Sequence, residues 1–316
     1  MPKCKKRIIR LVALLCTVAI GLGAFLLIRH HIGLQPHFTV NDTLPDGQGK
    51  KVKVILLGGQ SNASGCSRDD YLKQNVSSEQ YAAYQNGYDN VYINYFVSGM
   101  NESHGFVRCA ANQGEAGGFF GPELGMAEKL NELYPDETFF IIKWAWGGTN
   151  LYDQWLSPSS SGRTGKYYRQ FEAYVMTGIR YLISKNYDVT IEGMCWMQGE
   201  SDSFSVENAS DYAENLNNLI HDLRRKFSRH AAEDGIAFID AYIADNPMYW
   251  VYCDIVNSQK DIVAAASPLN VLVDTLSAGL SCSEEPSPNP DLAHYDSMSE
   301  IKLGHLFIEH LAPFLE

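Results

Sequence analysis

The chain has 316 residues, with 37 Asp or Glu against 25 Lys or Arg, and a formal net charge of −12 at pH 7. This acidic balance disfavours nucleic acid as a partner, because phosphate backbones are bound by clustered Lys and Arg side chains. The cysteine spacing matches no zinc pattern, so it excludes the common structural zinc sites. Cys195 lies in an apolar run and is expected to be a buried thiol, while one or two disulfides among the other cysteines stay open.

The first 31 residues have the pattern of a transmembrane signal anchor. A basic N-terminus precedes an apolar stretch over residues 11–28, and this length is near the minimum that spans a bilayer. Because the basic cluster lies on the N-terminal side, the positive-inside rule predicts a cytoplasmic N-terminus and an extracytoplasmic remainder. Cleavage as a signal peptide is the alternative, and it would release the same domain. Residues 32–50 are polar with Pro and Gly and predict a linker, which leaves one globular domain over residues 51–316.

Within residues 51–316, short apolar runs alternate with longer amphipathic segments. Continuous apolar runs predict strands that are covered on both faces, as in a parallel sheet. These runs cover residues 51–59, 138–148, 190–200, 236–243 and 270–276. Helical spacing predicts helices after Pro122, around residues 171–182, over 212–227, and from Ser297, where Glu300 completes a capping-box pattern. The alternation predicts an α/β fold, a three-layer α/β/α sandwich with a central parallel sheet.

Polar side chains follow several predicted strands, at the edge where open parallel sheets bind ligands. Ser61 follows the first strand; taken alone, a serine there is more often a helix cap. Further polar residues follow the second strand at Gly147–Thr149 and the third at Gln198–Asp202. In the last loop, Asp291 precedes His294 by three residues, so the carboxylate can orient an imidazole that accepts the proton of a serine. Taken alone, DxxH is a weak signal, and its alternative is a surface Asp and His in a loop. The convergence of these residues favours a Ser61, His294 and Asp291 triad.

Five motifs together resemble the SGNH-hydrolase superfamily, and more narrowly its branch of sialate O-acetylesterases and acetylxylan esterases, carbohydrate esterase family 6. They are GGQSN around Ser61, GGFFGPE over 117–123, GGTNLYDQW over 147–155, WMQGESD over 196–202 and DLAH over 291–294. The resemblance spans residues 51–316 and implies a flavodoxin-like SGNH fold. The GxSxG elbow of the α/β-hydrolases is absent, which disfavours that fold.

The resemblance also implies roles for individual residues. Ser61 would be the nucleophile, His294 the general base, and Asp291 the residue that orients it. The oxyanion would be met by the backbone N–H of Ser61, by that of Gly118 (with Gly121 as second choice), and by the side-chain amide of Gln198. Trp155 would line the substrate pocket. No metal or cofactor is implied.

The expected activity is therefore an extracytoplasmic serine esterase that removes O-acetyl groups from carbohydrates. Its expected partner is an acetylated carbohydrate, together with the membrane through the N-terminal helix, and no protein partner is predicted. Two alternatives stay open: an esterase of lipids or thioesters on the same fold, and a non-catalytic carbohydrate-binding surface module. Residues 71–113 and 157–169 look like insertions above the site, whose tyrosines would either contact sugar or belong to the core.

Overall fold

The computed structural model describes residues 38–160 and 163–315. The predicted anchor over residues 1–31 lies outside the described residues. Within the described part of the chain, no helix combines the length and the apolar character needed to cross a membrane.

The domain is built on a sheet of eight strands. The described residues form ten strands: β1 Lys51–Gly59, β2 Ser67–Arg68, β3 Val91–Val97, β4 Asn101–Glu102, β5 Val107–Arg108, β6 Phe119–Phe120, β7 Phe139–Ala145, β8 Asp188–Met197, β9 Ala237–Ala241 and β10 Asn270–Val273. The main sheet has the order β10-β9-β8-β1-β7-β3-β4, and β5 also pairs with β3. The strands from β10 to β3 are parallel, whereas β4 and β5 run antiparallel to β3. Strands β2 and β6 form a separate antiparallel pair.

Helices cover both faces of this sheet. They are α1 Ser61–Ser64, α2 Asp69–Asn75, α3 Ser78–Asn86, α4 Glu123–Leu133, α5 Lys166–Ser184, α6 Val206–Ser210, α7 Tyr212–Phe227, α8 Cys253–Ala265 and α9 Ser297–Leu311. Successive residues of β7 point to opposite faces: Ile142 lies against Gly178 of α5, and Lys143 pairs with Glu123 of α4. The predicted three-layer α/β/α sandwich is confirmed.

Helices α4 and α9 pack closely because each carries a glycine where they meet. A Cβ atom on Gly125 would lie 2.1 Å from the Ile301 carbonyl oxygen, and one on Gly304 would lie 2.1 Å from that of Pro122. No other residue type fits this distance, so the packing of the last helix depends on both positions. Helix α9 in turn sets the end of the loop that carries Asp291 and His294.

All five predicted strands are present, as β1, β7, β8, β9 and β10, but the sequence reading missed β3. Val91–Val97 lies within the segment that was expected to be an insertion, yet it pairs in parallel with β7 along its whole length. Tyr84 and Tyr95 of the same segment are buried. These two tyrosines therefore belong to the core, which is one of the two alternatives that the sequence left open for the tyrosines of this segment.

One local prediction differs from the structure, and the open question of disulfides is answered for the described cysteines. The start of α9 forms no capping box, because the backbone and hydroxyl of Ser297 bind the Glu285 carboxylate and Glu300 points into the interior. The described cysteines, including the buried Cys195, are all free thiols.

The described part of the predicted linker, residues 38–50, lies against the domain. The ring of Phe38 packs edge-on against Tyr174 at a centroid distance of 4.7 Å, and Leu44 is buried. The backbone N–H of Gly47 donates to the Lys185 carbonyl over 2.6 Å. Apolar contacts and backbone hydrogen bonds thus make this segment part of the folded unit.

Candidate active site

The backbone turns sharply at the end of β1 and places Ser61 at the start of helix α1. Gly59 has φ +138°, and a Cβ atom there would lie 2.0 Å from the Met197 carbonyl oxygen, so only glycine fits. Ser61 is nearly buried, and the first N–H groups of a helix have no intrahelical partner. Among the described residues, the backbone N–H of Ser61 has no hydrogen-bond acceptor.

Asp291 and His294 form a hydrogen-bonded pair in the loop that precedes α9. His294 Nδ1 lies 2.6 Å from Asp291 Oδ2. With the proton on Nδ1, the imidazole donates to the carboxylate and keeps Nε2 free to accept a proton. This is the orientation that a general base requires.

The shape of this loop is fixed by two carboxylates that the sequence reading did not single out. Asp296 accepts from the backbone N–H of Glu285 over 2.8 Å, and Glu285 accepts from the N–H of Ser297 over 2.7 Å. The N–H of Asp291 donates to the Glu285 carbonyl over 2.8 Å. Because these bonds close the loop on itself, the Asp291 and His294 pair is presented on a rigid turn.

Asn62 joins this loop to the serine turn. Its Oδ1 accepts from the N–H of Tyr295 over 3.2 Å, and its Nδ2 donates to the carbonyl of Ala293 over 3.4 Å. The two partners flank His294, while Asn62 itself follows Ser61. One side chain therefore joins the loop of the predicted base to the turn of the predicted nucleophile, and GQSN was the only sequence signal for it.

Glu200 holds the side chain of Asn62 by a hydrogen bond. Its Oε1 accepts from Asn62 Nδ2 over 2.9 Å, and the side chain is fully buried. Burial raises the pKa of this carboxyl, although the hydrogen bond from Asn62 and the nearby His294 oppose the rise. Glu200 therefore supports the serine turn through Asn62.

Gln198 lies beneath the site, where several loops meet. Its Nε2 donates to the Thr149 carbonyl over 2.9 Å and to Asp202 Oδ2 over 2.6 Å, and its Oε1 accepts from the Tyr212 hydroxyl over 3.0 Å. The side chain is fully buried. Both amide hydrogens thus have acceptors within the protein, so the geometry presents Gln198 as a connection between loops more than as a donor facing the cleft.

Asp202 binds the loop that follows β7. Its carboxylate accepts from the backbone N–H groups of Leu151 and Tyr152, over 2.9 Å and 3.0 Å. Burial raises the pKa of Asp202 to about 6, and hydrogen bonds from Leu151, Gln198 and Tyr152 limit the rise. The loops after β7 and β8 are therefore held together by a carboxyl and an amide.

In the glycine-rich block over residues 117–123, the N–H groups of both candidate oxyanion donors are engaged. The N–H of Gly118 donates to Asn112 Oδ1 over 2.9 Å, and that of Gly121 donates to Glu123 Oε1 over 2.9 Å. Glu123 also pairs with Lys143 over 2.6 Å, and both side chains are fully buried. The N–H of Gly118 or of Gly121 would have to break its present hydrogen bond before it could donate to an oxyanion.

Glu115 is a further residue of the site that the sequence reading did not identify. Its Oε1 accepts from the hydroxyl of Ser64 in α1 and from that of Ser98 after β3, each over 2.5 Å. The Ser98 hydroxyl in turn accepts from the N–H of Gly147 over 2.9 Å. Burial, with the charge of Glu115, raises the pKa of the nearby Cys66 thiol well above its ordinary value. Cys66 therefore contributes a protonated thiol to the wall of the site.

Trp155 does not line the cleft, contrary to the sequence-based prediction. It is 1% exposed and packs edge-on against Trp144 and Trp196, at centroid distances of 5.2 Å and 4.9 Å. Its Nε1 donates to Thr149 Oγ1 over 2.9 Å. The residue anchors the GGTN loop from within the core, so it has no surface to offer a sugar.

A cavity of about 170 Å³ opens beside the Asp291 and His294 pair. Its wall is formed by Cys66, Ser67, Arg68, Phe119, Glu285, Pro286 and Tyr295 together with that pair. Among residues 38–160 and 163–315, no group of three or more His, Cys, Asp or Glu side chains is arranged to hold a metal ion. The cavity is bordered by the hydrogen-bonded Asp291 and His294 pair.

Comparison with known proteins gives one family and several similar structures. The family model described as "carbohydrate esterase, sialic acid-specific acetylesterase" matches residues 51–312. A search of curated proteins finds no match.

Three similar solved structures support the fold. A protein from Arabidopsis thaliana has 18% identity and a TM-score of 0.58, covering 86% of this chain and 100% of its own. NanS has 14% identity and a TM-score of 0.57, covering 86% of this chain and 99% of its own. XAC1771, described as a carbohydrate acetylesterase from Xanthomonas citri, has 15% identity and a TM-score of 0.53, covering 83% of this chain and 56% of its own. At these identities the structural likeness shows the fold alone.

Proposed function

The chain belongs to the family of carbohydrate esterases described as sialic acid-specific acetylesterases, and is thus a carboxylic ester hydrolase; from this premise we propose that it is an extracytoplasmic serine esterase that removes O-acetyl groups from carbohydrates through an acyl-enzyme on Ser61. The observation that carries the proposal is the bonding of Asn62 to both neighbours of His294, since it joins the loop of the Asp291 and His294 pair to the turn that carries Ser61.

The first half of the reaction forms the acyl-enzyme. Ser61 Oγ attacks the acetyl carbonyl carbon while His294 Nε2 takes the hydroxyl proton, and Asp291 stabilises the resulting imidazolium. The carbonyl oxygen becomes an oxyanion that the N–H of Ser61 can meet, since this donor has no acceptor among the described residues. The bond between the acetyl carbon and the sugar oxygen then breaks, and the sugar oxygen leaves with the proton from His294.

The second half releases acetate. His294 takes a proton from water as the water oxygen attacks the acetyl carbon, and the proton passes to Ser61 Oγ when the acyl bond breaks. Gly118 and Gln198 remain proposed as further oxyanion donors. Each would act only after giving up the acceptor that it binds in this structure.

Release of the carboxylic acid from four esters tests the proposed activity. The substrates are p-nitrophenyl acetate and butyrate, an acetylated xylan and an O-acetylated sialoside, with the fragment from residue 35 onward. We expect acetyl-selective hydrolysis that falls about 10⁴-fold or more in Ser61→Ala, because the nucleophile is lost. Ser258→Ala, which removes an exposed serine of α8, is the matched control and should retain full activity.

Other outcomes would favour the alternatives. A preference for longer acyl chains would support a lipid or thioester esterase. A folded wild type that releases no acetate, with glycan binding unchanged in Ser61→Ala, would support a non-catalytic carbohydrate-binding module.

The extracytoplasmic location is proposed from the basic N-terminus and the apolar stretch over residues 11–28, which lie outside the described residues. Alkaline phosphatase fused to the C-terminus should be active, because this enzyme requires export. An inactive fusion that is stably produced would place the domain in the cytoplasm instead.

A further inference from the structure

Aromatic side chains are exposed on two loops that follow β8 and β9. Phe204 is 59% exposed and Tyr249 is 42% exposed, with the half-buried Trp250 between them. The ring centroid of Trp250 lies 5.5 Å from that of Phe204 and 6.2 Å from that of Tyr249. We call Phe204, Tyr249 and Trp250 the aromatic platform. Contiguous exposed apolar surface of this kind is typical of a binding site.

The aromatic platform belongs to the same edge of the sheet as the predicted triad. The backbone N–H of Tyr252 donates to the Ser203 carbonyl over 2.9 Å, which joins the two loops of the platform. The N–H of Ser201 contacts Gln60 Oε1 over 3.3 Å, and Gln60 precedes Ser61. These bonds place the platform beside the serine turn.

A cavity of about 330 Å³ lies between the platform loop and the loop of His294. Asp245 and Asn246 line it on one side, and Leu292 and Tyr295, which surround His294 in sequence, line it on the other. Asn246 Nδ2 also contacts the Leu292 carbonyl at 3.5 Å. A ligand that extends from the predicted triad toward the platform would thus pass a cavity with carboxylate and amide groups, which bind hydroxyls.

The charged side chains on the two loops of the aromatic platform are all acidic. Glu207, Asp211, Asp245 and Asp254 are exposed, and residues 201–211 and 244–254 contain no Lys or Arg. These carboxylates would repel a sialic acid carboxylate or an anionic lipid headgroup, because the charges have the same sign. An uncharged sugar has no such penalty, and its ring presents an apolar face to an aromatic side chain.

We propose that the aromatic platform stacks against a neutral sugar ring of the acetylated glycan, so that the preferred substrate is an uncharged oligosaccharide or polysaccharide extending past the acetylated residue. This inference rests on the proposed function. The family description names sialic acid, which is an acidic sugar, whereas the part of the substrate that reaches the platform would be uncharged. Polar groups of the intervening cavity would bind hydroxyls of the same chain.

Kinetics of the full-length chain test the platform. Phe204→Ala and Tyr249→Ala should each lower kcat/KM on acetylated xylan about 3- to 10-fold, mainly through KM, because aromatic contacts contribute to that extent. Hydrolysis of p-nitrophenyl acetate should be unchanged, since that ester does not reach the platform. Leu133→Ala is the matched control, because it removes an exposed apolar side chain at the end of α4, near the opposite edge of the sheet.

Binding measured without turnover separates this inference from the proposed function. Ser61→Ala should bind deacetylated xylan in isothermal titration, and adding Phe204→Ala should weaken that binding about 3- to 10-fold. If the wild type hydrolyses no ester but this binding pattern holds, the proposed activity fails and the platform stands.

Several results would overturn the proposal. The first is an unchanged kcat/KM on xylan in both platform variants. The second is an equal loss on every substrate, and the third is a loss confined to the O-acetylated sialoside. Unchanged xylan affinity with weakened binding to phosphatidylserine vesicles would instead identify the platform as a membrane contact.

Discussion

At the scale of single residues, Gln198 shows how a residue with one expected role can have contacts that indicate a second. The family resemblance implies an oxyanion donor, whereas the structure gives its amide four partners: Gln60, Thr149, Asp202 and Tyr212. A donor that faces substrate contributes to rate alone. A buried connection between loops contributes to stability and, through the position of the loops, to rate as well.

Replacing Gln198 by Leu distinguishes these roles. Each buried partner left unsatisfied costs about 1 to 3 kcal/mol, so we expect a clear loss of unfolding free energy in urea denaturation together with lower kcat on p-nitrophenyl acetate. Tyr212→Phe removes one of the same hydrogen bonds from the side of α7, and it should destabilise the fold with a smaller effect on kcat. A Gln198→Leu variant that keeps its full stability and loses 100- to 1,000-fold in kcat would restore the oxyanion role.

At the scale of elements, the sequence predicts the buried parallel strands well because their apolar runs are continuous. It misses β3 because Tyr and Asn interrupt the run VYINYFV, and these polar atoms find partners only in the folded state: Asn94 accepts from the Tyr174 hydroxyl over 2.8 Å. Trp155 was misplaced for a similar reason, since the motif places it after the GGTN loop but cannot show that the ring turns into the core. Tertiary contacts decide both cases.

Helix α9 provides a prediction about pH. Glu300 is fully buried, and neither of its carboxyl oxygens has a hydrogen-bond partner among the described residues. Burial, followed by the charge of Glu123, raises the pKa of Glu300 well above its ordinary value. The folded protein therefore keeps the proton while the unfolded chain ionises, so this residue destabilises the fold increasingly as pH rises above the unfolded pKa of about 4.3.

Substituting Glu300 by Gln removes this ionisation. We expect a higher unfolding free energy at pH 7 and a smaller gain at pH 5, because each pH unit over which only the unfolded state is ionised costs about 1.4 kcal/mol. Urea denaturation at the two pH values measures the difference. Glu309→Gln, on the exposed side of the same helix, should change stability by less than about 0.5 kcal/mol at either pH. An equal effect of Glu300→Gln at both pH values would show that Glu300 is ionised in the folded protein.

At the scale of the whole molecule, the family match and the folded unit have different N-terminal limits. The match begins at residue 51, where β1 begins, but residues 38–50 make contacts that a free linker would lack. The ring of Phe38 packs against Phe96 and Tyr174, and the N–H of Asn41 donates to the His104 carbonyl over 2.6 Å. Asp42 pairs with Lys185 over 2.7 Å, although an exposed pair of this kind adds little.

A fragment of residues 51–316 should therefore be less stable than one of residues 38–316. Loss of the buried Leu44 and of the packed Phe38 ring removes about 3 kcal/mol or more of apolar burial, which urea denaturation of the two fragments would resolve. Phe38→Ala in the longer fragment should reproduce part of the loss, and Asp42→Asn almost none. Equal stability of the two fragments would mean that residues 38–50 lie on the domain without supporting it. The boundary predicted from sequence, at residue 51, would then also be the boundary of the folded unit.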